Sequence, residues 1–234
     1  MVLTVPVFDS KNIPVIFKAG LTISICIILF PVLDLNTPVI TDVITFGIAV
    51  TGEVILGVII GLSVKMIFAG VQLAGNLAGF QMGFMIANVI DPVTKSQVPI
   101  IAQFYYFLAI LIFLTINAHH WFIRALVESF LLVPPMDFQF TSSLMDHVLR
   151  LSGNMFVISI KVGAPVIAVL LLTSISFGLI SRTVPQMHIF IVAMPFKIAI
   201  GMSIIIISLP YFVSFITKIF NGLGNDILLL LKVM

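Results

Sequence analysis

The sequence predicts an all-α integral membrane protein, built from helical hairpins whose helices carry internal proline and glycine. Three observations point there. Apolar residues make up 61% of the chain and charged residues only 9%, against about 25% charged in soluble domains. Over 234 residues, so few charges cannot cover a water-facing surface. Finally, residues 96–123, 162–181 and 198–217 contain no Asp, Glu, Lys or Arg, and each reaches the roughly 20 residues a helix needs to cross a bilayer.

Taken in order, the chain opens with apolar, uncharged residues from Met1 to Phe8, and Lys11 and Lys18 follow. A secretory signal would place its positive charge first, so no cleavable signal is expected. The most hydrophobic helical segments are 15–33, 42–64, 98–117, 155–180 and 187–216, read here as five spans. Polar or proline-containing connections separate them at 34–41, 91–99, 134–152 and 182–186. No internal repeat and no soluble domain is visible, so a single membrane-embedded domain is expected over residues 1–234.

Proline and glycine mark these segments. Pro165, Pro195 and Pro210 fall inside apolar stretches, where each removes a backbone donor and bends or breaks its helix. In lipid the freed carbonyl needs a neighbouring helix or a wet cavity. Gly57 and Gly61 form one G-x-x-x-G pair, and Gly75, Gly79 and Gly83 continue the same spacing, with Gly70, Ala74 and Ala78 in a parallel row. Spacing of four lets backbones approach on one face. Packing within the chain and packing against other subunits are both open.

Residues 66–90 carry no formal charge yet hold Gln72, Asn76, Gln81 and Asn88. Gln72 and Asn76 share a helical face, and amides in an apolar setting must find hydrogen-bond partners. A helix packed in protein with one polar side is expected.

Charges are sparse. The net charge is +2 and the eleven Lys and Arg are spread along the chain, so no basic patch for nucleic acid exists. With five spans, Lys11, Lys18, Lys65, Lys95 and Arg182 would face one side and Arg124, Arg150, Lys218 and Lys232 the other. That split does not set an orientation. Glu53 is the one acid clearly inside an apolar segment, while Lys65, Lys161 and Lys197 border or interrupt others. An ion pair of Glu53 with a lysine is favoured over a proton relay, which needs several acids within reach.

Catalytic signatures are absent. There is no phosphate-binding glycine loop, no zinc helix and no nucleophile elbow, so no catalytic, cofactor or metal residues are expected. Cys26 is the single cysteine, which excludes an intrachain disulfide and a cysteine metal cluster. His119 and His120 are adjacent, so they are expected to point apart on a helix. Beside Trp121 and Arg124 they read as an interfacial cap.

The ordered motifs carry a family resemblance. Gly52-Glu53-x-x-Leu56-Gly57-x-x-x-Gly61-Leu62 is followed by Gln72-Leu73-Ala74-Gly75, then Gln81-Met82-Gly83-Phe84 with Asp91-Pro92. Further on come Asn117-Ala118-His119, Ser129-Phe130 with Pro134, Arg182-x-x-Pro185-Gln186-Met187, and Pro195-x-Lys197 with Gly201. This series resembles the flagellar biosynthetic protein family FliR over almost the whole chain, with the injectisome counterparts as the nearest alternative. Relative to that family the first apolar helix is expected to be missing or cut short, because only Met1 to Thr4 precede Val5-Pro6-Val7-Phe8.

The resemblance implies a non-enzymatic subunit of an export gate in the bacterial inner membrane, within the flagellar basal body. It implies assembly with FliP-like and FliQ-like subunits, an FlhB-like protein at the cytoplasmic mouth, and unfolded flagellar proteins as cargo. It also implies a loop that plugs the closed pore, corresponding here to residues 84–99. That loop's Phe84, Met85, Ile86, Val89 and Ile90 are bulky and precede Asp91 and Pro92. Such side chains seal a pore by packing and dewetting. A small secondary transporter is the alternative from another class; it would use proline- and glycine-broken helices at two related halves, and no related halves are found.

Overall fold

Long uninterrupted apolar stretches make long helices, and the computed structural model consists of them. It describes residues 14–31, 42–84, 99–133, 140–183 and 189–231. Among these residues there are six helices and no strand: α1 (Val15–Leu29), α2 (Val43–Met82), α3 (Ile100–Thr115), α4 (Ala118–Leu132), α5 (Ser142–Thr183) and α6 (Ile189–Leu231). Three of them, α2, α5 and α6, are long and apolar enough to cross a membrane, and a fourth span results if the bent pair α3 and α4 counts as one.

The expected five spans are therefore corrected. α1 and α3, of 15 and 16 residues, are each shorter than a bilayer crossing requires. Lys65 does not end α2, because it stands on an exposed face of the helix. Pro165 sits inside α5 and Pro195 and Pro210 inside α6. Each costs one intrahelical bond, yet the flanking turns carry the helix through. Part of the expected connection 134–152 is helical, since α5 starts at Ser142.

Many hydroxyls inside these helices are satisfied locally, the buried Ser159 of α5 being an exception. Thr51 donates to the Gly47 carbonyl at 2.8 Å, Ser174 to that of Leu170 at 2.8 Å and Ser203 to that of Ala199 at 2.9 Å. This back-bonding removes the cost of a lone hydroxyl in an apolar setting.

The chain gathers into two compact units. One comprises residues 1–68, 113–153 and 217–234. Its centre is a trio of rings: Phe68 lies 5.7 Å from Phe113 and 5.4 Å from Phe220, and Phe113 lies 5.2 Å from Phe220, edge to face. Offset and edge-on pairs are the favoured aromatic geometries. A smaller core joins Ile59, Leu144 and Leu230. α4 buries Ala118, Phe122, Ala125 and Ser129, one stripe at helical spacing. α1 buries no residue at all.

The other unit comprises residues 69–112 and 154–216. Val71, Ala74, Ala78 and Met82 form a fully buried stripe along α2, joined by Ala109, Val166 and Leu170. Tyr105 of α3 packs its ring 5.0 Å from that of Phe212 on α6 and hydrogen-bonds the Ser208 side chain. α5 and α6 run antiparallel here: the Phe177 and Phe196 rings meet at 5.8 Å, and the Lys161 ammonium lies 5.8 Å from the Phe215 ring.

Candidate functional site

The small residues of α2 set how closely its neighbours approach. Gly75 faces the α3 backbone: a Cβ at this position would overlap the Ala102 Cα and stand 2.8 Å from the Ala102 nitrogen. Gly79, one turn on, would place a Cβ at an ordinary 3.7 Å from Ile101. Gly70 faces α5, with the Met155 carbonyl oxygen 2.7 Å from its would-be Cβ. A Cβ on Gly163 of α5 would stand 3.8 Å from the Ala74 Cα, an ordinary contact, and 2.9 Å from the Ile167 side chain. For Gly70, Gly75 and Gly79 the close approach is thus to helices of the same chain. Gly61 is buried and Gly57 half-buried, both in the first unit.

α2 ends by a turn that needs glycine. The Gly83 N–H donates to the Phe80 carbonyl at 3.0 Å, and its φ of 89° lies in the left-handed region that side chains avoid. Beside it, Gly201 of α6 admits Met82, whose Cγ and Cε both lie 2.7 Å from the Cβ a larger residue would carry. Gly83 itself lies against the Met194 side chain, at 3.3 Å by the same measure.

These contacts pin both ends of the segment 84–99. Its start is held on α6 by Met82 and Gly83, and its end continues into α3, where Ile101 and Ala102 lock onto Gly79 and Gly75. Phe84 is half-buried. The other residues expected to form the plug, Met85, Ile86, Val89, Ile90, Asp91 and Pro92, lie outside the described residues.

Polar groups are distributed around this clamp. Gln72 and Gln81 are half-buried and Asn76 is exposed on α2, and Lys197 is half-buried on α6. Among the described residues, neither Gln72 nor Asn76 makes a side-chain hydrogen bond. Glu53 is half-buried in α2 within the first unit. Met82 and Gly201 stand in the ordered motifs, but their contact, and that of Met194 with Gly83, were not foreseen, since two residues so far apart in sequence carry no mark of each other.

In the first unit, the chain turns at Asn117, which adopts a left-handed φ of 56°, and α4 begins. The expectation that His119 and His120 point apart is corrected: their ring centroids lie 4.3 Å apart. They occupy the first turn of α4, and consecutive Cα atoms lie only about 3.8 Å apart, so two rings on neighbouring residues can lean together. The Trp121 ring packs on Gly224 and carries the Arg124 guanidinium 5.7 Å from its centroid. Arg124 also pairs with Glu128 at 2.8 Å. Among the described residues, no group of three or more His, Cys, Asp or Glu is placed to hold a metal ion.

Comparison with known proteins places this arrangement in context. The sequence model of the bacterial export proteins, family 1, matches residues 1–223. The chain is 34% identical over 221 residues to the flagellar biosynthetic protein FliR of Bacillus subtilis, covering 93% of this chain and 85% of that one. It is 32% identical to FliR of Pectobacterium carotovorum, over 94% of this chain and 84% of the relative. To FliR of Escherichia coli it is 28% identical, over 96% and 86%.

Proposed function

The chain belongs to the bacterial export proteins, family 1, and from that membership we propose that it is a non-enzymatic membrane subunit of the flagellar protein-export gate. It assembles with FliP-like and FliQ-like subunits in the inner membrane, within the basal body, and an FlhB-like protein sits at the cytoplasmic mouth. The whole chain works as one membrane-embedded domain. Unfolded flagellar proteins pass through the conduit, and the segment 84–99 closes it.

The observation that carries this reading is the clamp at the base of that segment. A closing loop must move at its middle and hold still at its ends. Gly83 and Met82 on α6, and Ala102 on Gly75, supply two fixed ends of close-packed backbone, while the sequence between them offers bulky apolar side chains for a dewetting seal. The exposed Asn76, whose amide makes no hydrogen bond among the described residues, and the wide exposed apolar faces of α5 and α6 suit a chain whose remaining surface is covered by neighbours or lipid.

The test is a pull-down of the tagged chain from its own cells in mild detergent, read by mass spectrometry. FliP-like and FliQ-like proteins are expected to come with it. Recovery of a stable homo-oligomer without them would sink the proposal.

A further inference from the structure

The antiparallel pair α5 and α6 carries a groove of about 530 Å³ on its outer face, around Pro165. We propose that this groove binds one anionic phospholipid, with an acyl chain along Ala164 and Ala168 and the phosphate on Lys161. The proposal rests on the membrane reading of the chain, not on its role as a gate.

The first argument is length. Residues 162–181 of α5 and 198–217 of α6 are free of charge and bracketed by Lys161 and Arg182 and by Lys197 and Lys218. At 1.5 Å per residue each stretch runs about 30 Å, the thickness of a bilayer's hydrocarbon core. Lys161 therefore stands at headgroup level, with the groove descending from it toward the middle.

The second is the chemistry of the mouth. Lys161 is exposed and its ammonium hovers over Phe215, while Tyr211, also lining the groove, stacks on Phe215 at 5.9 Å with an interplanar angle of 9°. A lysine beside a tyrosine at this depth is the arrangement of an interfacial anchor, and basic pockets between helices attract anionic headgroups. Pro165 has no N–H, so the Lys161 carbonyl lacks its helical donor, and the glycerol hydroxyls of a phosphatidylglycerol headgroup can supply one.

The third is shape. Ala164, Pro165 and Ala168 leave a furrow that a larger side chain would fill, and its walls are overwhelmingly apolar. An acyl chain satisfies such walls without presenting polar groups of its own.

Native mass spectrometry of the full chain, purified from membranes and reloaded with phosphatidylglycerol, tests this. One retained phosphatidylglycerol per chain is expected, falling roughly five- to tenfold in Lys161→Gln and persisting in Lys161→Arg. Equal retention of phosphatidylcholine, or no loss in Lys161→Gln, overturns the proposal. A photoreactive benzophenone residue in place of Ala168 gives a second readout in intact membranes. Crosslinking to lipid supports the assignment; crosslinking to a protein helix overturns it. The pull-down for partner subunits reads a separate property, so either proposal can fail alone.

Discussion

Gly75 and Ala102 meet backbone to backbone, so that α2 and α3 touch where any side chain at residue 75 would collide with the Ala102 Cα. No rotamer relieves such a clash, because the obstacle is main chain. Gly75→Ala is expected to destabilise the chain by about 1–3 kcal/mol, read as a lowered Tm in detergent. Gly79→Ala, where the new methyl meets Ile101 at an ordinary distance, should be neutral or stabilising by up to about 1 kcal/mol, since alanine is the better helix former. Equal losses at both positions would contradict this packing.

The turn at Gly83 makes a sharper demand. Its left-handed backbone costs roughly 1–2 kcal/mol for an alanine and less for an asparagine. Gly83→Ala should raise the ion leak of assembled gates, with Gly83→Asn closer to wild type, because the strain falls at the root of the segment 84–99. Conductance across bacterial membranes, with assembly followed by co-purification, measures both.

Replacing residues 85–90 with Gly and Ser is expected to leak ions while leaving assembly intact. Unchanged permeability in an assembled gate would remove the plug from the proposed function.

The ring trio in the first unit predicts a loss of another kind. Phe220→Ala deletes a fully buried ring that touches both Phe68 and Phe113. A cost of about 3–5 kcal/mol is expected, seen as lower accumulation in membranes and a lower Tm.

Asn76→Leu separates chain stability from partner recognition. The side chain is exposed and makes no hydrogen bond among the described residues, so the Tm of the isolated chain should hold. Retention of FliP-like and FliQ-like proteins in the pull-down should fall if this amide faces a neighbour.

How far the sequence foretold this follows from which signals are local. The helices of the charge-free stretches were legible, because nothing but a helix suits so long an apolar run in lipid. The small-residue rows of α2 were visible by spacing, yet whether they met the same chain or another was not, since Gly75 carries no mark of Ala102. The continuity of α2 past Lys65 was hidden, because one charge on an outer face reads the same as a boundary. The start of α5 was hidden too: Leu144, Val148 and Leu151 form a buried or half-buried stripe, but Asp146 and Arg150 between them give the stretch a polar average. The groove at Pro165 needed two helices in register, and composition says nothing of register.

α1 has a consequence for how the protein is made. Synthesised ahead of α2 to α6, it is an apolar helix of 15 residues with no fully buried residue. Peptide helices of that length are marginal in water. Its order is therefore borrowed from its surroundings, and during biogenesis α1 must wait for a lasting neighbour that α2 to α6 do not supply in full.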